Sequence, residues 1–159
     1  QVNSAQFIGF PAINTEMIKM NAKTAELGET AIEEANIINF DPGLLAFENL
    51  HRFVMLDIVE NPHFKWLQSL DNPEVTFLLV DPFTVKNDYS VDLSAEVREK
   101  LDIEAAEDVI IYTIVTVPAS GLKDATTNLV GPLVFNWRKK VARQIICEGN
   151  IIKYPLMKQ

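Results

Sequence analysis

Two histidines and an aspartate are the residues of this chain best suited to holding a metal ion. His51, Asp57 and His63 could supply two imidazoles and one carboxylate, a ligand set known from non-haem iron sites. Their spacing matches no established metal-binding motif, and Asn61-Pro62 predicts that His63 lies in a turn. We therefore expect ordinary surface histidines, with no metal and no other cofactor.

Three carboxylates and one thiol are the remaining candidates for catalytic chemistry. Asp57, Asp71 and Asp81 could work as paired acids and bases, but two of them adjoin turn-forming residues, where aspartate caps the backbone. Cys147 follows an apolar run and has no histidine close in sequence, which is typical of an unreactive core thiol. The glycines are isolated, so no phosphate-binding loop is predicted. We expect no catalytic residues and no enzymatic activity.

The elements that must position these residues are mostly β-strands. Phe64–Leu70 and Val75–Val80 predict the two strands of a β-hairpin, because the turn-formers Asp71-Asn72-Pro73 separate them. His51–Ile58 carries bulky residues on both faces, as a central strand does. Val109–Val117 is the most β-like run in the chain.

Shorter strands and one helical region complete the pattern. The other predicted strands cover residues 22–27, 30–34, 36–40, 89–93, 129–136, 141–147 and 151–154. Ser94 is a suitable N-cap for a helix over Ala95–Leu101, and Asp102 could cap a second helical turn through Glu104–Asp108. Strands at this spacing predict a mostly β fold, namely a small antiparallel β-barrel-like or sandwich domain with one or two short helices.

Composition limits the compartment and the partners. The formal charge of −8 argues against direct nucleic-acid binding, because phosphate contacts need clustered Lys and Arg. A single cysteine excludes an internal disulfide and favours a reducing compartment. No run approaches the roughly 18 apolar residues of a membrane span. We expect a cytoplasmic protein with neither a nucleic-acid nor a membrane partner.

Residues 88–108, which we name the acidic band, hold eight acidic side chains against two basic ones. The acids are Asp88, Asp92, Glu96, Glu99, Asp102, Glu104, Glu107 and Asp108. Such a stretch is often only a solvated surface. In a protein of net negative charge with a mostly apolar β body, it also suits the capture of a basic partner.

The N-terminal 19 residues are predicted to form an arm outside a single β domain that covers residues 20–159. Gly9 and Pro11 interrupt any helix there, and the arm is either a native extension or vector-derived. Four of its residues are costly to leave in water: Phe7, Ile8, Phe10 and Ile13. We expect them to pack on a groove or sheet edge of this molecule or of a neighbour.

Four ordered blocks of the chain resemble the FliW family of flagellar assembly factors. The most specific is the block F-x-x-L-Q-S-x-x-N-P-x-x-x-F-x-x-x-D-P-F over residues 64–83, and the others lie at 40–48, 101–109 and 127–136. One departure is Gly43-Leu44-Leu45-Ala46-Phe47-Glu48, where the family commonly has G-I-P-G-F-E. A proline and a glycine are therefore missing from that loop, which is expected to bend differently.

The resemblance implies a cytoplasmic protein that binds the C-terminal segment of flagellin. It also implies binding to CsrA, a basic RNA-binding dimer. It implies that the protein antagonises the repression of flagellin translation by CsrA. For a helical flagellin segment we expect exposed apolar groove residues, namely Phe83, Val85 and Tyr89. For CsrA we expect acids of the acidic band, namely Glu96, Glu99, Asp102, Glu104, Glu107 and Asp108.

Two other functions stay open at the level of sequence. A small-molecule-binding β-barrel would need a roomy apolar interior, and an uncharacterised hydrolase would need a cleft with perturbed acids or histidines.

Four further residues are expected to hold turns rather than contact a partner: Gln68, Asn128, Pro132 and Asn136.

Overall fold

The computed structural model describes residues 34–157. Within them lie nine strands and two short α-helices. In chain order these are β1 (Ile38–Phe40), β2 (Arg52–Asp57), β3 (Phe64–Ser69), β4 (Thr76–Val80), α1 (Pro82–Val85), α2 (Ala95–Lys100), β5 (Val109–Thr116), β6 (Thr126–Thr127), β7 (Leu133–Asn136), β8 (Val141–Gln144) and β9 (Tyr154–Pro155). The predicted arm over residues 1–19 and the strand over 22–27 lie outside the described residues, as does nearly all of the strand over 30–34.

Seven of the strands form a closed barrel. They follow the order β4-β3-β2-β1-β8-β7-β5, and β5 pairs back onto β4, with Thr113 opposite Val80 and Val115 opposite Leu78. The β1–β8 pair is parallel and the other pairs are antiparallel. The two short strands β6 and β9 extend the sheet beyond the second half of β5. The predicted mostly β, barrel-like fold is confirmed, and closure leaves the seven barrel strands without a free edge.

Apolar side chains from all seven barrel strands fill the interior. Phe40 lies at its centre, with ring centroids 5.1 Å from Phe53 and 5.7 Å from Phe135 in edge-to-face contacts. Leu67 and Leu79 add to this cluster, and both are fully buried. A cluster that takes a residue from every strand can only lie inside the barrel.

A second apolar cluster lies on the outer face of β3, β4 and β5. Trp66, Leu78 and Val115 belong to it, and they alternate along their strands with inward-pointing residues. The loop that contains Leu122 and the chain end at Leu156 and Met157 cover this cluster. The barrel wall is therefore buried on both sides here, which explains why β4 reads as a nearly continuous apolar run.

The strand predictions are confirmed at the hairpin, at His51–Ile58, which contains β2, and at Val109–Val117, which contains β5, and one of them is wrong. The hairpin of β3 and β4 pairs as predicted, from Phe64 opposite Val80 to Gln68 opposite Thr76. Tyr89–Leu93 is not a strand, because the closed barrel offers it no edge to join. The strands predicted over 129–136, 141–147 and 151–154 are real but shorter or shifted.

The helix prediction is confirmed for α2, and the predicted second helical turn is present in shorter form without its predicted cap. Ser94 caps α2 by accepting a hydrogen bond from the Val97 amide at 3.2 Å. Asp102 does not cap the next turn, since it has φ +53° and the 3-10 turn Ala106–Asp108 has no side-chain cap. The sequence analysis missed α1, although Asp81 is a good N-cap and Pro82 suits the first helical position.

Buried amides hold the turns, as predicted. The Gln68 side chain donates to the carbonyls of Pro73 and Val75 at 2.9 and 3.2 Å and accepts from the Thr76 hydroxyl, so it closes the hairpin turn. Asn128 accepts from two backbone amides of the next turn, and the carbonyl of buried Pro132 accepts from Ile145. These contacts satisfy polar groups that would otherwise be buried without partners.

The loop at 43–48 bends through a residue in the left-handed region. Ala46 has φ +74°, at the position where the resembling family commonly has glycine. A Cβ atom makes this conformation costly by roughly 1–2 kcal/mol relative to glycine. The absence of glycine from this position therefore results in local backbone strain at Ala46.

Replacing Ala46 with glycine should stabilise the protein by about 0.5–1 kcal/mol, because relief of the strain exceeds the entropy that glycine adds to the unfolded chain. Urea denaturation of the parent and of Ala46→Gly measures the change. Ala119→Gly, at an exposed turn alanine without positive φ, is the control and should be neutral or destabilising. A loss of stability in Ala46→Gly would contradict the assignment of strain.

Candidate partner-binding groove

An apolar groove of about 520 Å³ lies on the outside of the barrel beside the acidic band. It is lined by Phe83, Val91, Leu93, Arg98, Ile103, Glu104, Ala105, Ala106, Val109 and Ile111, and we name it the apolar groove. Only two of these side chains are charged. The volume falls within the roughly 300–1,000 Å³ of typical ligand sites, and the lining suits an apolar segment.

The floor of the groove is the outer face of β5. Ile110, Tyr112 and Ile114 of this strand point into the barrel core, so Val109 and Ile111 must point outward. The second half of the same face, at Val115, is covered by the outer cluster. The first half is only partly covered by the segment between α1 and β5, and this gap is the groove.

One end of the groove is formed by α1 and the loop that follows it. Asp81 caps α1 by accepting from the Phe83 amide at 3.0 Å, and the Phe83 ring contacts Tyr89 with centroids 5.6 Å apart. The Tyr89 hydroxyl donates to the Leu129 carbonyl at 2.8 Å, which anchors the loop on the barrel. Burial raises the pKa of Tyr89, so this hydroxyl stays protonated and keeps its hydrogen bond.

The opposite wall, at residues 101–106, is held by the turn between β7 and β8. The fully buried Asn136 donates to the carbonyls of Leu101 and Asp102 at 2.8 and 3.0 Å. Its side-chain oxygen accepts from the amides of Arg138 and Lys139, both at 3.1 Å. The side-chain amide of Asn136 therefore joins the groove wall to the β7–β8 turn and also fixes the conformation of that turn.

Ion pairs add a second set of links between the same two segments. Lys139 lies 2.6 Å from an Asp102 oxygen, and Arg138 lies 3.3 Å from Asp108 and 3.6 Å from Glu104. The Lys139 ammonium holds the pKa of Asp102 below its ordinary value, and the Arg138 guanidinium does the same for Asp108. These carboxylates stay ionised and keep the wall fastened at neutral pH.

The acidic band is therefore divided into paired and unpaired acids. Asp102, Glu104 and Asp108 bind the β7–β8 turn, and Asp88 pairs with Lys86 at 2.7 Å. Within residues 88–108, four exposed acids form no ion pair: Asp92, Glu96, Glu99 and Glu107. The charge that is free to attract a basic partner is carried mainly by these four, and it is smaller than the sequence suggests.

The three apolar residues that were expected to line a groove have three different environments in the structure. Phe83 lines the apolar groove and is 41% exposed. Val85 packs against the outer cluster, and Tyr89 is buried at 5% exposure, so the expectation that Tyr89 is exposed is wrong. The burial follows from its hydroxyl, which reaches a backbone carbonyl. The binding role of the exposed candidates stays a prediction.

Eight of the ten groove residues were not predicted as site residues. They are Val91, Leu93, Arg98, Ile103, Ala105, Ala106, Val109 and Ile111. The sequence held a usable signal, because Val109–Val117 has apolar residues on both faces, and a barrel strand needs them only on one. An apolar outer face implies a covering segment or a binding surface.

The residues considered for catalysis have other roles. His51 contacts the Phe40 carbonyl through Nδ1 at 2.8 Å, Asp57 pairs with Lys65 at 2.7 Å, and Asp71 accepts from the backbone amides of His51 and Arg52. Burial raises the pKa of the Cys147 thiol.

Among the residues that the structure describes, no group of three His, Cys, Asp or Glu side chains could hold a metal ion. In the same part of the chain, no helix is long and apolar enough to cross a membrane.

The closed seven-stranded sheet places the protein in the class of small β-barrel proteins, here with a groove on the outer face of the barrel. Comparison with known proteins identifies the family. The sequence model of the FliW protein family matches residues 21–158. The flagellar assembly factor FliW of Moorella thermoacetica is 42% identical over 130 residues, which cover 82% of each chain. That of Geobacter sulfurreducens is 40% identical over 142 residues, covering 88% of each.

A solved structure has the same fold. The crystal structure of a flagellar assembly factor FliW superimposes with a TM-score of 0.74 at 32% sequence identity, and the match covers 80% of this chain and 90% of the other. The chain belongs to the FliW family. The resemblance stated from its sequence blocks is confirmed.

Lowering the pH should loosen the wall of the groove before it unfolds the barrel. Because Asp102 and Asp108 have lowered pKa values in the fold, their ion pairs stabilise the wall above about pH 4 and are lost as the pH falls through the lower folded values. Amide signals of Ile103 and Trp137, which bond to the carbonyls of Arg98 and Asp108, should therefore shift below pH 4 in a nuclear magnetic resonance titration.

Asp108→Asn should change these two signals already at neutral pH and flatten their titration. Glu107→Gln, which removes an unpaired neighbouring acid, is the matched control and should titrate like the parent. Identical titrations of the parent and Asp108→Asn would show that the ion pair with Arg138 does not hold the wall.

Proposed function

We propose that this protein is a non-enzymatic, cytoplasmic flagellar assembly factor that binds flagellin and CsrA. Its relatives carry the name flagellar assembly factor, which supports a role in flagellar assembly. Binding of free protein to CsrA opposes the repression of flagellin translation, and accumulating flagellin withdraws the protein from CsrA. Flagellin synthesis is thereby matched to flagellin use.

The observation that carries the flagellin part is the apolar groove itself. Its floor of Val109 and Ile111 and its end at Phe83 present a continuous apolar surface to solvent. An amphipathic helix binds such a groove with side chains spaced at i, i+3, i+4 and i+7. The C-terminal segment of flagellin is the proposed occupant, since it is helical in the filament.

The CsrA part rests on the unpaired acids beside the groove. Glu96 and Glu99 lie on α2 and Glu107 lies in the 3-10 turn before β5, all exposed. A protein that grips RNA is basic, so these acids offer complementary charge. Exposed charges of this kind act mainly on the rate of association and are screened by salt.

The small-molecule alternative is disfavoured by the barrel interior. Large side chains, including Phe40, Phe53 and Phe135, fill it and are fully buried. A barrel that stores a small ligand needs open space at this position. The space that the structure offers lies outside the barrel, where a protein segment can reach it.

Phe83→Ser should weaken binding of a flagellin C-terminal peptide about tenfold, because it removes the one aromatic anchor in the lining. All proteins in this comparison also carry Phe7→Ser and Phe10→Ser, so that the apolar arm cannot compete with the peptide for the groove. Isothermal titration calorimetry with the synthetic peptide measures this. Val59→Ser is the matched control, because Val59 is 90% exposed and does not line the groove. Equal affinities for parent and Phe83→Ser would rule out the groove as the flagellin site.

Reversing three of the unpaired acids of the band should weaken CsrA binding several-fold at low salt and flatten its dependence on salt. The variant carries lysine at Glu96, Glu99 and Glu107. The control carries lysine at three exposed acids outside the band and has the same net charge: Glu60, Glu74 and Glu148. Surface plasmon resonance at several salt concentrations compares the two. If both triple variants lose affinity equally, net charge rather than the acidic band attracts CsrA.

A further inference from the structure

The described part of the chain begins next to the apolar groove. Asn39 of β1 donates its amide to the Lys140 carbonyl at 2.9 Å, and β1 runs parallel to β8 from that point. The described residues just upstream of β1, 34–37, therefore lie on the side of the β7–β8 turn. This is the turn whose Asn136, Arg138 and Lys139 hold the groove wall.

The chain upstream of this point is long enough to reach the groove. Residues 18–33 alone span up to about 50 Å when extended, at roughly 3.3 Å per residue. The groove wall is bonded directly to the turn beside which β1 begins. Residues 7–13 can therefore lie in the groove of their own molecule without any change in the barrel.

The chemistry of residues 7–13 matches the groove. They read Phe-Ile-Gly-Phe-Pro-Ala-Ile, and the chain has no charged residue before Glu16. Each phenylalanine buries about 150–250 Å² when it is covered, which makes exposure to water costly. The lining of the groove is equally short of charge, with Arg98 and Glu104 alone among apolar residues.

The family match leaves this segment out. It begins at residue 21, so residues 7–13 lie beyond the part that this chain shares with FliW proteins. We propose that residues 7–13 bind in the apolar groove of the same molecule and act as an autoinhibitory segment that a partner must displace. The inhibitory part rests on the proposed function, because flagellin is the partner that competes for the groove.

Tethering makes even a weak segment an effective inhibitor. A linker of this length gives an effective concentration on the order of 1 mM. If the free segment binds with a dissociation constant of about 100 μM, the groove is occupied about nine-tenths of the time, and the apparent affinity for a competitor falls about tenfold. The segment carries no charge, so its own binding should not depend on salt.

The first test locates the segment without using any partner. The full chain, with Phe10 replaced by the photo-crosslinker benzoylphenylalanine, is irradiated as a mixture of 15N-labelled and unlabelled protein, and the linked peptides are identified by mass spectrometry. We expect links within one molecule to residues of the groove between 83 and 111. Links elsewhere, links between molecules, or no links would overturn the proposal.

The second test measures inhibition. The full-length Phe7→Ser/Phe10→Ser variant should bind the flagellin C-terminal peptide about tenfold more tightly than the parent. Asn3→Ser/Asn14→Ser is the control for changes in the same segment and should bind like the parent. Equal affinities in all three proteins would overturn the inhibitory role. Groove crosslinks without flagellin binding by any of them would support docking of the segment and instead refute the proposed flagellin site.

Discussion

Closure of the sheet between β4 and β5 is the constraint on which the rest of the structure depends. Once Leu78 lies opposite Val115, β5 has one face in the filled core and one face on the outside. Its outer face is apolar at Val109, Ile111 and Val115, so it must be covered or bind something. The loop at 117–125 and the chain end cover one half, and the segment between α1 and β5 covers the other half incompletely. The groove is thus a consequence of barrel closure combined with an apolar strand.

The acidic band has a structural task as well as a surface one. Asp102, Glu104 and Asp108 fasten the groove wall to Arg138 and Lys139. Three of the eight acids of the band are therefore neutralised by bases of the β7–β8 turn. What remains for partners is concentrated on α2 and the turn before β5.

The sequence predicts local features well and the consequences of closure poorly. The hairpin of β3 and β4, the cap at Ser94 and the turn-holding contacts of Gln68 and Asn136 each depend on nearby residues, and each was correct. Tyr89–Leu93 alternates like an edge strand, but whether an edge exists is decided by β4 meeting β5. Likewise, nothing local to Asp102 or Asp108 indicates that bases some 30 residues later will bind them. The groove lining was missed for the same reason, because it is assembled from three separated segments.

The parallel pairing of β1 with β8 has a consequence for the order of events during synthesis. Asn39 pairs with Val141, and Phe40, at the centre of the barrel core, pairs with Ala142. Contacts across such a separation form late, because a long loop must close first. On the ribosome, the hairpin of β3 and β4 can form early, but β1 has no partner on its second side until nearly the whole chain has emerged. The wall of the groove, which depends on Asn136, is completed at the same stage, so no partner can meet a finished groove on a partly made chain.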